Sequence, residues 1–349
     1  MTWMIYGANG YTGELIAREA RKRGMAPIVA GRNAAAIEAL AQELGLPARV
    51  FELTPDGFGT SKLQGVRLVL HCAGPFSRTS APMLQACLEA KAHYLDITGE
   101  LGVIEHAFSR GAAAAAAGIV VCPGVGMDVV PTDCVALALH AALPDAVSLT
   151  LGFDTRSRLS RGTLRSTLEG IAKGAWVRTD GKLQEVPWAH GVRRIDFGRG
   201  EAWAMTVPWG DLESAFHSTG IPNIEVYMAC PRAIIEAVRV LRYAPALWRS
   251  RSLHALAERA ASSTRGPSAE QRSTAPTYVW GEVVNAQGRR RTARLRTANG
   301  YDLTVSATLY AVQALLRAEA PVLGSTTPAK LLGSEWVTTL PGSGPLLIE

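Results

Sequence analysis

The chain has 349 residues, 48% hydrophobic and 19% charged, with a formal net charge of +6, enough length for two domains or one domain with a sizeable insertion. The composition is that of an ordinary soluble globule, no run reaches the roughly 20 apolar residues of a membrane span, and no basic segment leads into an apolar run at the N-terminus, so no signal peptide is expected. Five scattered cysteines (Cys72, Cys87, Cys122, Cys134, Cys230) without CxxC spacing argue against a disulfide framework or a zinc site and point to a reduced, cytoplasmic setting.

"TWMIYG" (2–7) reads as a buried strand, followed by the helix "ELIAREARKRG" (14–24), whose Leu15, Ile16 and Ala20 share one face, with basic residues in its last turn and Gly24 as a stop. Then come the strand "APIVAGR" (26–32), the helix "AAAIEALAQELG" (34–45) and the strands "ARVFEL" (48–53) and "VRLVLHCAG" (66–74). The helix "SAPMLQACLEAKA" (80–92), the strand "HYLDITGE" (93–100), one helix over "GVIEHAFSRGAAAAAAG" (102–118) and the strand "IVVCPGVG" (119–126) follow, before a helix at "PTDCVALALHAALP" (131–144). Short apolar strands joined by helices predict a doubly wound, parallel α/β sheet covered on both faces.

The texture then changes. "AVSLTLGFD" (146–154) opens a strand-rich region with hairpin signals at "TDGK" and "AQGR" and a helical stretch "TLRSTLEGIAKG" (163–174). A basic, amphipathic pattern over 232–260, broken at Pro245, reads as a helix pair on a sheet, with a membrane surface as the alternative. "SSTRGPSAEQRSTAP" (262–276) has loop composition and is a candidate lid. Strands and a helix resume over 277–320, and the basic run "GRRRTARLR" (288–296) reads as solvated hairpin charge rather than a nucleic-acid site, since no aromatics interleave it.

Gly7, Gly10 and Gly13 sit between the first strand and its helix. In that position the first glycine permits a sharp turn, the second lets backbone approach a pyrophosphate, and the third allows close helix packing. Tyr11 and Thr12 open the helix, where free N–H groups and the dipole attract phosphate. The second strand ends in Gly31-Arg32-Asn33, with no carboxylate for a ribose 2′-hydroxyl and with an arginine suited to a 2′-phosphate. NADPH is the expected cofactor.

"GANGYTGELIA", "AGRN", "HCAGPFS", "YLDITGE" and "PGVGMDVVPTD", in that order, resemble the saccharopine dehydrogenase-like oxidoreductases. The later "WGDLESAFHSTGIPNIEVYM" and "NGYDLTVSATLYAVQALL" are similar to the branch containing the trans-acting enoyl reductases. The resemblance implies an NADP-binding Rossmann-type domain at 1–143, an α+β substrate or interaction domain at 144–304, and a C-terminal helix and tail at 305–349 returning to the first domain. It further implies that Ala73, Gly74, Pro75, Phe76, Thr98 and Gly99 border the cofactor. These positions lie at carboxyl ends of parallel strands, where open α/β sheets bind ligands.

Hydride transfer needs a proton donor beside the nicotinamide. Asp96, Tyr94 and Asp128 are the expected catalytic residues, with Thr98, Glu100 and Asp133 in the same loops; helix capping is the structural alternative for Asp128. His71 is expected in the core, and the role of His217 is open. No histidine and carboxylate cluster has metal-ligand spacing. Arg156, Arg158, Arg161 and Arg165 are candidates to hold a carboxylate or a carrier's phosphate, or are simply exposed, and Trp176, Trp188, Trp203 and Trp209 are expected mostly in the core of an apolar second domain. Reduction of a carbon–carbon double bond in an acyl or polyketide intermediate leads, on an acyl carrier protein or polyketide synthase as partner. A saccharopine-like imine or amino-acid oxidoreductase and a non-catalytic NADPH-binding interaction protein are the alternatives, and a homodimer through the second sheet is an additional expectation.

Overall fold

In the computed structural model, which describes residues 2–54, 60–157, 160, 174–241 and 266–349, the chain begins with alternating strands and helices. The strands are β1 (Trp3–Tyr6), β2 (Ile28–Gly31), β3 (Ala48–Val50), β4 (Leu68–His71), β5 (His93–Asp96) and β6 (Val120–Cys122). Between and after them lie α1 (Tyr11–Lys22), α2 (Ala34–Leu44), α3 (Phe76–Ala90), α4 (Leu101–Ser109), α5 (Gly111–Ala117) and α6 (Val130–Ala142). Every residue of β1, β2 and β4 is buried, because helices cover both faces and leave no side of these strands to water.

One departure from expectation lies at 102–118, where the single helix is broken at Arg110 (φ −91°, ψ 3°). The cause is a later segment. The Ser325 hydroxyl donates 2.6 Å to the Ala107 carbonyl in the last turn of α4, and a Cβ on Gly111 would stand 3.3 Å from Ser325 Oγ, so the glycine both weakens the helix and admits the intruding chain.

The second half builds a mixed sheet from β7 (Ala146–Asp154), β8 (Ala175–Thr179), β9 (Lys182–Val186), β10 (Val192–Asp196), β11 (Glu201–Thr206), β12 (Asn223–Ala229), β13 (Thr277–Asn285) and β14 (Arg290–Thr297). Both hairpin signals are realised: Asp180 and Gly181 take positive φ (49° and 76°) between β8 and β9, and Gly288 (φ 79°) turns β13 into β14, as right-twisted strands require. Its helices are α7 (Asp211–Thr219), α8 (Arg232–Leu241), α9 (Ala269–Ser273), α10 (Gly300–Arg317) and α11 (Pro328–Leu332), and the short strands β15 (Gly324–Ser325) and β16 (Leu347–Ile348) complete the set. The strand orders are β15-β6-β5-β4-β1-β2-β3 in the first sheet and β10-β11-β12-β7-β13-β14-β16 in the second, with β8 and β9 beside β12. Among the described residues, only β7 and β12 pair in parallel in the second sheet.

Helix α6 lies on the second sheet, where Val135 and Leu139 join Leu149, Leu151, Val279 and Val283 in one core. A Cβ on Gly281 would come within 2.6 Å of Val135 and 2.7 Å of Leu139, so the glycine sets how closely the helix sits. Helix α10 joins the two units: Leu303 and Ala307 enter that core, while Val305, Leu309, Val312 and Leu315 enter the core on one face of the parallel sheet. The C-terminal tail divides, β15 adding to the first sheet and β16 to the second. All five cysteines are free, and no described helix is long and apolar enough to cross a membrane.

Residues 163–173 of the expected helix, the chain around Pro245, residues 262–265 of the expected lid, and Arg158, Arg161 and Arg165 lie outside the described residues. Arg156 is exposed after β7. Residues 268–273, expected as loop, contain α9, started by a capping box in which Ser268 and Gln271 bond each other's backbone. Of the four tryptophans expected mostly in the core, Trp176, Trp203 and Trp209 are half-buried and pack against the core of the second sheet, and Trp188 is half-buried in the loop after β9; among the described residues Trp3, Trp280 and Trp336 are fully buried.

Candidate functional site

The glycines between β1 and α1 are dictated by neighbouring backbone. Gly7 has φ 83°, and a Cβ there would lie 2.7 Å from the amide nitrogen of Ala73; a Cβ on Gly13 would lie 2.3 Å from the Gly7 carbonyl oxygen. Both distances are sterically forbidden, so Gly7 lets the turn after β4 lie against this loop and Gly13 lets α1 start directly over it. The first bond of the α1 ladder runs from Glu14 N–H to the Gly10 carbonyl (2.8 Å), which leaves the amides of Tyr11, Thr12 and Gly13 ahead of the ladder as donors to an anion. Asn9 and Gly10, at the tip of the loop, are exposed. The loop therefore fits the dinucleotide the sequence suggests. The Tyr11 side chain points elsewhere, its hydroxyl donating to the Pro267 carbonyl and accepting from Arg272.

At the end of β2, Arg32 is 75% exposed and stands 3.9 Å from the equally open Glu52, a separation that leaves its guanidinium available to a 2′-phosphate. Asn33 acts structurally, its side chain accepting from Ala36 N–H (3.1 Å) as the N-cap of α2.

The turn after β4 follows Cys72, whose amide donates to Tyr6 O (2.7 Å). Thr79 Oγ1 holds the turn by donating to the carbonyls of Ala73 (2.6 Å) and Pro75 (3.1 Å), with His71 Nε2 beside it at 3.0 Å. Burial lowers the His71 pKa to about 3, so the ring is neutral and belongs to the core, as expected. Pro75 precedes α3, and the exposed amides there meet a carboxylate: Glu100 accepts from Phe76 N–H (2.9 Å) and Ser77 N–H (3.0 Å). That cap joins the loop after β5 to the loop after β4 and uses the α3 dipole favourably. The sequence placed Glu100 among proton donors because its partners lie more than twenty residues away.

Asp96 ends β5 with no exposure, accepting from Tyr94 Oη (2.8 Å), Thr98 N–H (3.0 Å) and Gly124 N–H (2.8 Å). Burial raises its pKa to about 6 against the lowering effect of those three bonds. Both oxygens point into protein and tie the β5 loop to the β6 loop. Tyr94 is likewise buried, and Thr98 turns its hydroxyl to Glu100 N–H (3.0 Å). These three residues shape the rim from behind.

Asp128 differs from them. It is half-buried, and its carboxylate has no hydrogen-bond partner among the described residues. Burial, and secondarily Glu100, raise its pKa to about 6. Gly99 makes room for it, since a Cβ there would fall 2.8 Å from Asp128 Cβ, and Trp209 Nε1 fixes its backbone by donating to Asp128 O (2.7 Å). Helix capping does not explain it: Val129 is the residue before α6, with no side-chain cap. An unpaired carboxyl with a pKa near neutrality, at the carboxyl edge of a parallel sheet, can donate or accept a proton at the ligand.

The second domain supplies the wall behind Asp128. Trp209 packs on Phe153 with ring centroids 4.8 Å apart, and Gly210 lies against Gly99 and Ile104. Asp211 is fully buried, one of its oxygens has no partner, and burial pushes its pKa well up. Asp133 accepts from Ser218 Oγ and from Ala329 N–H (2.8 Å), so it ties α6 to α7 and α11 and is not at the rim. His217 stacks on Phe108 at 3.7 Å and stands 3.3 Å from Glu213. It thus bonds the two domains together, while Glu213 also forms a buried pair with Arg178. Among the described residues, no group of three or more His, Cys, Asp or Glu is arranged to hold a metal.

Residues 3–122 match the saccharopine dehydrogenase NADP binding domain, which covers β1 through β6 and both turns just described. A Mycobacterium tuberculosis protein named as a candidate trans-acting enoyl reductase is 35% identical over 188 residues, 48% of this chain and 44% of that protein. A saccharopine dehydrogenase-like oxidoreductase of Mus musculus is 28% identical over 151 residues, 37% of this chain and 35% of its own length. The matched stretch is thus less than half of either relative. In fold, the saccharopine dehydrogenase (L-Glu forming) of Saccharomyces cerevisiae superposes with a TM-score of 0.65 over 100% of this chain and 99% of that one, at 11% identity. Residues 3–122 thus form an NADP binding domain of the saccharopine dehydrogenase type, and the chain as a whole shares the fold of saccharopine dehydrogenase.

Proposed function

We propose that the protein is an NADPH-dependent reductase that saturates the carbon–carbon double bond of an activated acyl or polyketide intermediate, with Asp128 as the proton donor. The observation that carries this reading is the Asp128 carboxyl itself: half-buried, unpaired among the described residues and with a pKa near 6. When bound, the dinucleotide supplies a hydride. The chain's own residues do the rest. The amides of Tyr11, Thr12 and Gly13 hold pyrophosphate, Arg32 meets the 2′-phosphate, and the turn Ala73–Phe76, braced by Thr79 and Glu100, lies along the ribose on the nicotinamide side.

In an enoyl thioester, hydride adds to the β carbon, the electron pair of the double bond moves to the thioester oxygen as an enolate, and the α carbon then takes a proton. A protonated Asp128 supplies that proton and is recharged from water. The choice of acceptor is supported by the absence of cations: among the described residues no arginine or lysine pairs with Asp128 or Asp211. A dicarboxylate would find no cationic partner at this edge, whereas a neutral thioester needs none. The Trp209 wall offers apolar surface for an acyl chain, and the enoyl reductase name of one relative agrees with this class. A carrier-linked substrate, brought by an acyl carrier protein or polyketide synthase, follows from the same reading.

The same acidic edge also favours a cationic iminium, so imine reduction is the second reading. NADPH deuterated on its transferable face separates the two. Offered with carrier-linked enoyl thioesters, it should leave deuterium on the β carbon of the saturated product, read by mass spectrometry. Deuterium on a carbon bearing a new secondary amine, from amine and keto-acid mixtures, would replace enoyl reduction by imine reduction.

A further inference from the structure

The contact made by the Tyr11 side chain has no part in holding a phosphate, and it joins residues more than 250 positions apart. Ser268 and Gln271 start the short helix α9, and that turn aims Arg272 back at the phosphate loop. Arg272 Nη1 donates to Tyr11 Oη (2.9 Å) and to the Pro267 carbonyl (3.1 Å), while its Nε donates to Asp302 Oδ1 (2.7 Å). Tyr11 Oη donates to the same Pro267 carbonyl (2.5 Å). Gly266 is shaped to this contact, since a Cβ on it would lie 2.4 Å from the Tyr11 ring. On its other side the ring meets Tyr301 edge-on, with centroids 5.0 Å apart.

Apart from the buried Pro267, little else among the described residues holds this segment down. Helix α9 has no buried residue, and Ser268, Ala269, Glu270, Gln271, Ser273 and Thr274 are all exposed. Its downstream end is anchored separately, where Asn299 Nδ2 donates to Ala275 O (3.0 Å) and Thr277 N–H donates to Ala298 O (3.3 Å). A stretch with few buried contacts opens at a small fraction of the global unfolding free energy. Opening here breaks the Tyr11–Arg272–Pro267 bonds and leaves the anchor at Ala275 and Thr277 intact. Tyr11 is also the first residue of α1, and its amide is one of the three that face the pyrophosphate.

We propose that Gly266–Ser273 is a strap latched to the phosphate loop through Tyr11 and Arg272, and that release of this latch sets how fast the dinucleotide enters and leaves. The inference rests on NADPH binding at the glycine loop and concerns cofactor exchange, so it is independent of the acceptor.

Stopped-flow fluorescence of NADPH binding and displacement, on wild type, Tyr11→Phe, Arg272→Ala and the double variant, tests it. Tyr11→Phe keeps the ring against Gly266 and Tyr301 and removes only the hydroxyl, so it remains informative if Arg272→Ala folds poorly. Each single variant should raise both the association and the release rate about tenfold, as the loss of one or two partly buried hydrogen bonds predicts. The dissociation constant should stay within about threefold, and the double variant should be no faster than the faster single one. Unchanged rates would overturn the latch. So would faster release with unchanged association, which would make the two side chains direct ligand contacts. Wild-type protein that binds no NADPH would overturn the cofactor reading itself, and the latch with it.

Discussion

The two ends of the cofactor cleft are built in different ways. At the phosphate end, recognition belongs to backbone: three unladdered amides, and glycines whose missing side chains let β1, α1 and the turn after β4 touch. At the reaction end, it belongs to side chains that mostly bond one another, so that Asp96, Tyr94, Thr98 and Glu100 hold loops in place while Asp128 is left over. Steric necessity writes a pattern into consecutive residues. A network of carboxylates and amides drawn from three strand ends does not.

The contrast can be broken most severely at the phosphate end. Gly13→Ala places a methyl 2.3 Å from the Gly7 carbonyl oxygen, and titration by NADPH fluorescence should show affinity lowered by about 100-fold or more, with the thermal midpoint reduced as well. Near-native affinity would mean that α1 can shift without cost and that the loop is not sterically determined.

Next in size is Asp128→Asn. It should lower the rate of hydride transfer by on the order of 10²–10⁴, the usual worth of a general acid, while the NADPH dissociation constant changes less than threefold. Equal loss of binding and turnover would put Asp128 in the cofactor site instead. Arg32→Ala should then weaken NADPH by about tenfold or more, the loss of charge-assisted bonds, and leave NADH unaffected. Equal weakening of both would remove Arg32 from the 2′-phosphate.

The smallest effect is on stability and tests the acidic end as a whole. Asp96, Asp128 and Asp133 all have folded-state pKa values near 6, raised mainly by burial, against about 3.9 in an unfolded chain. The folded state therefore binds protons more tightly, and the stability these groups contribute is present at low pH and lost as pH rises through about 6. Each adds up to about 1.4 kcal/mol per pH unit between about pH 4 and pH 6. Thermal midpoints of the cofactor-free protein should accordingly rise from pH 7.5 to pH 5.5. A midpoint that falls over this interval would mean that these carboxyls are solvated.

Legibility in the sequence followed the same division. The parallel sheet, both hairpins, the glycine loop and the acid-free end of β2 were readable because each depends on neighbours within a few residues. Asp128 was readable as a candidate, though what sets it apart, a carboxyl without a hydrogen-bond partner among the described residues, emerges only once Gly99 and Trp209 are seen around it. Glu100 and Asp96 were read as chemistry and act as braces, since their amide partners at Phe76, Ser77 and Gly124 come from other strand ends. Thr79 was missed although the carbonyls it bonds, Ala73 and Pro75, lie within six residues of it. The Ser268-to-Gln271 spacing was a local signal for α9 that the surrounding loop composition masked, and the break at Arg110 depends on Ser325, more than 200 residues later.

The measurement that bears most directly on the role of Asp128 is the pH dependence of hydride transfer from NADPH to an enoyl thioester, compared between wild type and Asp128→Asn. Wild-type turnover should fall as pH rises through about 6, because the proton donor is lost, and the variant should be slow with that limb absent. A wild-type profile flat from pH 5 to pH 8, or a variant that keeps the same limb, would contradict Asp128 as the proton donor.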